Sequence, residues 1–428
     1  MNILKSGILK SIATSEAFVK GMMFDCRTCG QCVLTNTAMV CPMRCPKGLR
    51  NGPCGGTIGE KCEVYPDRKC VWIRIYKRSN QRKLGTPILI SSPDSNLYHT
   101  SSVINYLNGE DKPTRIPLKY LTFNQSEECQ TLSKLECKLK QGQFVLTCEV
   151  RAPREGDFSH MLNEARLVGK SFDAINVTAF LNGKPSLPSA LAASKLVKEG
   201  IEAISQATCR DHTKTSFVAE LLQNKMSGVH NILCLTGDSY TGTPKIKQVF
   251  DMDSSLMLYE ARHIREKSEI NFTKYILKDP PRLFLGAAIN PFTTPLFIPI
   301  QRLKQKAAAG ADFIQTQIIL NLPVFRNFMH RVVEEKLNEK LFILAGVPVI
   351  ISKNAYKMLP NIPGVSIPPE IKKRFDNTQD IRQEGIGYAR EMLIEMQQIQ
   401  GVSGVHLMLL GSDHSALLEV IEGIYIKK

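Results

Sequence analysis

The sequence predicts an α/β protein, a (β/α)8 TIM barrel joined to a small N-terminal cysteine-rich metal-binding domain. Three observations carry that prediction. Eight short apolar, β-rich runs alternate with helical patterns over residues 143–428. Eight of the thirteen cysteines crowd between residues 26 and 70. The 428-residue composition, 43% hydrophobic and 22% charged, suits a folded chain with one large core and a smaller unit beside it.

The chain begins MNILKSGILKSIATSEAFVKG, with no apolar stretch long enough for a secretory h-region. Ile3, Leu4, Ile8, Leu9 and Ile12 recur at helical spacing with lysines between them. That pattern predicts an amphipathic helix docked on its own protein. No apolar run approaches the ~20 residues of a membrane span, so a cytoplasmic location is expected.

Next, CRTCGQCVLTNTAMVCPMRC places Cys26, Cys29, Cys32, Cys41 and Cys45 in residues 26–45, and Cys54, Cys62 and Cys70 follow. A disulfide framework, structural zinc and an iron–sulfur cluster compete. Disulfides need an oxidising compartment, which nothing at the N-terminus signals. The later cysteines, Cys129, Cys137, Cys148, Cys209 and Cys234, are scattered like reduced thiols, as in the apolar run NILCLTG. Cys26-x2-Cys29-x2-Cys32 opens the ferredoxin-type pattern, which a remote cysteine, often followed by proline, completes. Cys41-Pro42 and Cys45-Pro46 both fit that fourth role, so one centre with spare thiols and two centres stay open. Zinc sites more often pair two C-x2-C knuckles, and only one such run is present. A [4Fe-4S] cluster is favoured, with zinc as the alternative.

Directly after the last of these cysteines comes a basic cluster, RKCVWIRIYKRSNQRK, at 68–83. The net charge of +15 admits nucleic acid, anionic small molecules or an acidic protein as partner. Trp72 and Tyr76 interleave with the basic residues, yet no RNA-binding signature accompanies them. The segment reads as a solvated basic face or a dock for an acidic electron carrier, and nucleic acid is not expected. Residues 1–83 form the metal module. Residues 84–142 lack clear periodicity, opening on turn-rich LGTPILISSPDSN and closing on charged TLSKLECKLKQGQ, and read as a linker and docking segment.

From 143 the rhythm is regular. The strands are FVLTCEV (144–150), AINVT (174–178), EAISQATC (202–209), NILCLTG (231–237), RLFLGAAIN (282–290), FIQTQ (313–317), LFILAGVPV (341–349) and VHLMLLG (405–411). Helical patterns lie between them. In DIRQEGIGYAREMLIEMQQIQG, Ile381, Ala389, Met392, Leu393, Met396 and Ile399 share one face. A doubly wound sheet would carry a glycine-rich phosphate fingerprint after its first strand, and CEVRAPREGD is not one. GIGYAR near Gly385 lies within a helix pattern and carries no weight.

Barrel chemistry sits at the carboxyl ends of the strands. Those ends carry Glu149, Thr178, Gln206 with Asp211, Asp238, Asn290 and Gln317. Two carboxylates, Glu149 and Asp238, would face one mouth.

These strand ends resemble the methylenetetrahydrofolate reductase family over 143–428. The stretches that carry the resemblance are CEVRAP, DAINVT, QATCRD, CLTGDSY, AAINP, KAAAGADFIQTQ and FILAGVPVIIS…IPPEIKKRFD, in order. Separately, FDCRTCGQC…CPMRCPKGLRNGPCGG…CEV…CVW resembles the cysteine-rich C-terminal domain of the partner subunit found with these reductases in anaerobes. Here the two pieces are fused, cysteine module first.

The resemblance implies reduction of 5,10-methylene-tetrahydrofolate to 5-methyl-tetrahydrofolate, with a flavin (FAD or FMN) at the barrel mouth. It makes Glu149 the general acid that opens the five-membered ring to the 5-iminium cation. It makes Asp238 the carboxylate that favours this cation, and Gln317 the amide that reads the pterin. Thr178, Gln206, Gly237, Asn290, Arg302 and Lys306 fall at flavin contacts. Three positions depart from the family: Thr236 replaces an arginine, Gln206 a common histidine, and Asn290 a frequent tyrosine. The missing arginine weakens the expected hold on an adenine dinucleotide. With no nucleotide-binding domain, the fused module suggests electrons from a ferredoxin-like carrier or a reductase partner subunit, one at a time. Folate chemistry is expected to need nothing upstream of the barrel. The competing reading is a folate-binding, zinc-bearing scaffold of a corrinoid methyltransferase system that performs no reduction. Oligomeric state is left open.

Overall fold

The computed structural model describes residues 2–84, 89–90, 92–111, 115–116, 131–240 and 246–426. Eight strands close into a parallel barrel in sequential order. They are Val145–Arg151, Ala174–Thr178, Ala203–Thr208, Asn231–Leu235, Phe284–Ile289, Phe313–Ile318, Phe342–Ile350 and Val402–Leu410. Each overlaps one of the eight predicted runs.

Side chains alternate with the strand period of two. On the first strand Leu146, Cys148 and Val150 pack outward against the helices. Val145, Thr147 and Glu149 point inward, and the interior is layered accordingly. At the lower end Val145, Ala174, Ile204, Leu233, Phe284, Phe313 and Leu344 form one apolar cluster. Phe284 and Phe313 stack at 5.0 Å. A helix at Lys134–Lys140 plugs this end with buried Leu135 and Leu139. It lies within 84–142, so the end of the segment read as linker is packed barrel structure. Above the apolar layer lies a polar one, where Thr147 meets His406 at 2.9 Å and Asn176 bonds Gln315 at 2.8 Å.

The outer helices bury the stripes that periodicity marks. Ile381, Ala389, Met392, Leu393 and Met396 of the helix Ile381–Met396 are all buried, as is Ile399 just beyond it. Truncating one of them, such as Leu393, to alanine costs about 2–5 kcal/mol. Gly385 has a packing reason, because a Cβ there would stand 1.8 Å from the Ile350 carbonyl oxygen.

At the N-terminus a helix spans Asn2–Phe24. Its docking differs from the expected apolar contact, since Leu9 and Ile12 are 46% and 42% exposed. The side chains of Ile3, Leu4 and Ile8 lie outside the described residues. What anchors the helix is polar: Glu16 accepts hydrogen bonds from Ser101 and Ser102 and pairs with Lys20, each at 2.5 Å. The neighbouring helix, Ser102–Leu107, begins with hydroxyls there rather than an apolar groove. Among the described residues no helix is long and apolar enough to cross a membrane.

The cysteine module is mostly loop, with short 3-10 turns, and ends in a helix at Val71–Gln81. Trp72, Ile73, Ile75 and Tyr76 are buried and pack with Ile298 of the barrel. The Tyr76 hydroxyl bonds Gln305 at 3.0 Å, and the Asn51 amide donates to Asp253 at 2.8 Å. The module is therefore seated on the barrel, and its two aromatics serve that seam.

Cysteine usage needs one correction. Cys148, Cys209 and Cys234 are free and buried, but Cys137 is disulfide-bonded. Cys137 is half-buried on the outer side of the short helix that plugs the barrel rather than in an apolar run, so burial does not shield its sulfur. Cys129 lies outside the described residues.

Candidate active site

A cavity of about 320 Å³ opens at the carboxyl ends of the strands. Glu149, Thr178, Gln206, Gly237, Asp238, Asn290, Arg302, Lys306 and Gln317 all line it. Glu149, Thr178, Gln206 and Gln317 stand at the inward strand position above the polar layer, Gly237, Asp238 and Asn290 follow strand ends, and Arg302 and Lys306 come from the helix Phe297–Ala309.

Two carboxyl groups sit there in settings that disfavour charge. Burial pushes the pKa of Glu149 up, with Arg151 and His414 pulling it partly back. His406 Nε2 stands 4.0 Å from the Glu149 carboxylate. Burial lowers the His406 pKa to about 4, so this neighbour is neutral near pH 7. Burial and the nearby Glu63 raise Asp238, while Lys47 and Arg210 oppose the shift. A raised pKa keeps a carboxyl in its neutral form to higher pH, the state a proton donor needs.

On the opposite wall, Lys306 donates to Ser254 at 3.1 Å, and burial together with Arg302 lowers its pKa to about 7. Arg302 bonds Gln305 at 2.5 Å and Ser255 at 3.3 Å, while its buried Nε has no partner among the described residues. Adjacent cationic groups with a donor to spare suit a phosphate-bearing cofactor, so the residues fit a flavin. The Gln206 side chain also has no protein partner among the described residues, whereas two other amides are engaged. Asn290 donates to the Gly55 and Gly364 carbonyls at 2.7 and 3.2 Å. Gln317 donates to the Pro363 carbonyl at 2.9 Å and accepts from Ile318 N–H at 2.9 Å. Asp211 is held by Arg210 at 2.7 Å and the Tyr240 hydroxyl at 2.6 Å, which makes it a structural carboxylate.

Sequence reasoning missed several lining groups. His406 and Met408 face the cavity from the last strand. His406 is the one polar residue of VHLMLLG, and period two from the strand end would have found it. Pro53, Cys54, Gly55 and Gly56 line the cavity from the cysteine module. Module and barrel therefore share one mouth, so residues upstream of the barrel border the cavity. No local pattern announces a contact between residues so far apart in sequence.

The eight N-terminal thiols are all free and fall into two sets. Cys26, Cys29, Cys32 and Cys41 line one small cavity of about 40 Å³ with Glu16, Lys20 and Thr28. Of the two proline-flanked candidates, Cys41 rather than Cys45 joins the triplet. Cys45, Cys54 and Cys70 influence one another electrostatically, and Cys62 acts on Cys70. Among the described residues no group of three or more His, Cys, Asp or Glu side chains is closed to metal-binding geometry. The donor chemistry of the first set, four thiols on one cavity, nonetheless fits an iron–sulfur centre.

Comparison with known proteins gives two family matches. The family described as methylenetetrahydrofolate reductase matches residues 134–424, and that described as methylene-tetrahydrofolate reductase C terminal matches 7–91. Among curated relatives, methylenetetrahydrofolate reductase (NADH) 1 of Arabidopsis thaliana is 24% identical over 297 residues, 67% of this chain and 50% of that protein. The Zea mays protein of the same name is 28% identical over 230 residues, covering 51% of this chain and 37% of its own. A probable methylenetetrahydrofolate reductase (NADPH) of Caenorhabditis elegans is 26% identical over 220 residues, 50% of this chain and 30% of its own. The chain thus spans about half the length of these relatives, or less.

Proposed function

The chain belongs to the methylenetetrahydrofolate reductase family, and from that premise we propose that its barrel mouth reduces 5,10-methylene-tetrahydrofolate to 5-methyl-tetrahydrofolate. The observation that carries the reading is the single cavity on which Glu149, Asp238, Gln317 and the cationic pair Arg302 and Lys306 meet.

Glu149 is the proton donor in this reading. Its carboxyl, whose pKa desolvation raises, gives a proton to the folate nitrogen whose bond to the bridging carbon breaks. Ring opening leaves an iminium cation, which the Asp238 carboxylate stabilises. Lys47 and Arg210 favour the Asp238 anion against desolvation and Glu63, and the arriving cation adds to that pull. Gln317 keeps one amide hydrogen and one acceptor lone pair for the pterin after its two backbone bonds. Arg302, Lys306, Thr178 and Gln206 would hold a flavin, which supplies hydride chemistry when bound.

Electrons enter through the cysteine module in this account. Cys54 borders the cavity, and Cys70, of the same thiol set, borders an open groove with Lys69, Arg74, Lys77, Arg78 and Arg82. An acidic carrier docked in that groove would stand beside the second thiol set. Reversing charge at Arg78 and Arg82 is expected to slow reduction by such a carrier roughly tenfold at low salt. The difference should shrink at high salt, where steering is screened, and rates with a small artificial donor should not change. Stopped-flow reduction against ionic strength measures it; equal rates at every salt concentration remove the groove from the path.

The reading is tested by anaerobic purification, an ultraviolet–visible spectrum, and iron, zinc and flavin assays. Product formation would be followed with reduced viologen, NADH and NADPH as alternative donors. The names of the plant and nematode relatives make the two nucleotides necessary arms. A colourless, flavin-free protein that forms no 5-methyl-tetrahydrofolate with any donor would favour the zinc-bearing scaffold.

A further inference from the structure

A buried ion pair crosses from the cysteine module into the barrel mouth. Lys47 Nζ and the Glu63 carboxylate meet at 2.7 and 2.8 Å, with their side chains 3% and 6% exposed. Both partners also reach the turn that follows the fourth barrel strand. Lys47 donates to the Gly237 carbonyl at 2.9 Å. Glu63 accepts from the Ser239 backbone N–H at 2.8 Å. The residue between those two anchor points is Asp238.

The turn has little slack of its own. Gly237 has a φ of +82°, and a Cβ there would lie 2.9 Å from Arg210 Cβ and 3.2 Å from Thr208 Cβ. Arg210 fixes it from below by donating to the Asp238 carbonyl at 3.2 Å. The Thr236 hydroxyl donates to Ser254 at 3.3 Å, and its carbonyl accepts from the Arg210 N–H at 3.2 Å.

Adhesion alone is a poor reason for the pair. Removing two charges from water is costly, and apolar residues of similar volume usually hold a seam as well. This seam already has Trp72 and Ile73 packed with Ile298, and neutral bonds from Tyr76 and Asn290. What the pair adds is a grip on both sides of one residue.

We propose that Lys47 and Glu63 are positioning residues that clamp the Asp238 turn, so that the cysteine module completes the barrel's site. Lys47 lies between Cys45 and Cys54, and Glu63 follows Cys62 and contacts Cys54 Sγ at 3.4 Å. Rearrangement of the second thiol set is thereby transmitted to Asp238. The importance of Asp238 rests on the function proposed above; the clamp itself does not.

The test uses the full chain with Lys47→Met, Glu63→Gln and Lys47→Arg. Hydrogen exchange at residues 237–239 should speed up roughly tenfold in the first two variants. The strands Phe313–Ile318 and Val402–Leu410 should be unaffected. Folate turnover should fall roughly tenfold or more in kcat, with KM changed less, as misplacement of a reacting group predicts. Lys47→Arg, which keeps charge and donors, should restore both. Unchanged exchange at the turn overturns the proposal. So does unfolding of both neutralising variants, because the pair would then be a structural staple. If the wild-type chain reduces no folate, the exchange result still decides the clamp, and only the functional reading fails.

Discussion

Glu149→Gln is expected to lower methylene-folate reduction by roughly 10²- to 10⁴-fold, the usual contribution of a positioned general acid. Bound flavin and its reduction by small donors should stay at wild-type levels. The substitution keeps the side chain's volume and polarity and removes only the transferable proton. Glu149 stands on the inward face of its strand, two residues above Thr147 and the polar layer, and opens onto the cavity. Burial raises its pKa, and the neutral His406 at 4.0 Å offers no cation to ionise it. The proton donor is active when protonated, so turnover should fall as pH rises through this raised value. Stability carries the same sign. A carboxyl whose folded pKa exceeds its unfolded one contributes stability that is full at low pH and lost as pH rises through the folded value. Glu149→Gln should therefore gain on the wild type in thermal stability as pH increases, while losing catalysis. A variant turning over within about threefold of wild type, less than a decade in rate, removes Glu149 from the chemistry.

The barrel was legible because strand and helix periods write themselves into adjacent residues. Val145, Thr147 and Glu149 alternate with Leu146, Cys148 and Val150, and the position of a strand end then follows from the strand. For that reason Glu149, Asp238, Gln317 and their companions could be placed on one mouth without coordinates. His406 was equally legible by period and was overlooked among apolar neighbours. The module–barrel seam was not legible. Asn51 with Asp253, Lys47 with Gly237 and Asn290 with Gly55 join residues about two hundred positions apart, and no local rhythm encodes such pairs. The N-terminal helix shows the opposite limit. Its apolar spacing correctly gives a helix but does not name a partner, and Leu9 and Ile12 remain exposed.

Cys29→Ser and Cys54→Ser are each expected to remove about half of the bound metal, because metal and fold are coupled in so small a module. Cys29 shares its cavity with Cys26, Cys32 and Cys41, whereas Cys54 belongs with Cys45, Cys62 and Cys70. Serine matches the size of cysteine but offers an alcohol where iron or zinc takes a thiolate. Arg50 donates to the Cys29 sulfur at 3.3 Å, a bond suited to a thiolate and weakened at a neutral hydroxyl. Metal affinity is folding energy here, worth about 10–16 kcal/mol in zinc-finger peptides, so limited proteolysis should open the segment around the first set, residues 26–41, in the Cys29 variant. Loss of the second set should go further. Cys54 lines the barrel cavity and touches Glu63, so Cys54→Ser should disturb folate binding where Cys29→Ser leaves it intact. Iron and zinc analysis of the two proteins decides the arrangement. Full metal in Cys29→Ser would show that the C-x2-C-x2-C triplet is not a ligand set. Complete loss from either variant alone would mean one shared centre, and the division of eight thiols into two groups of four would describe geometry without chemistry.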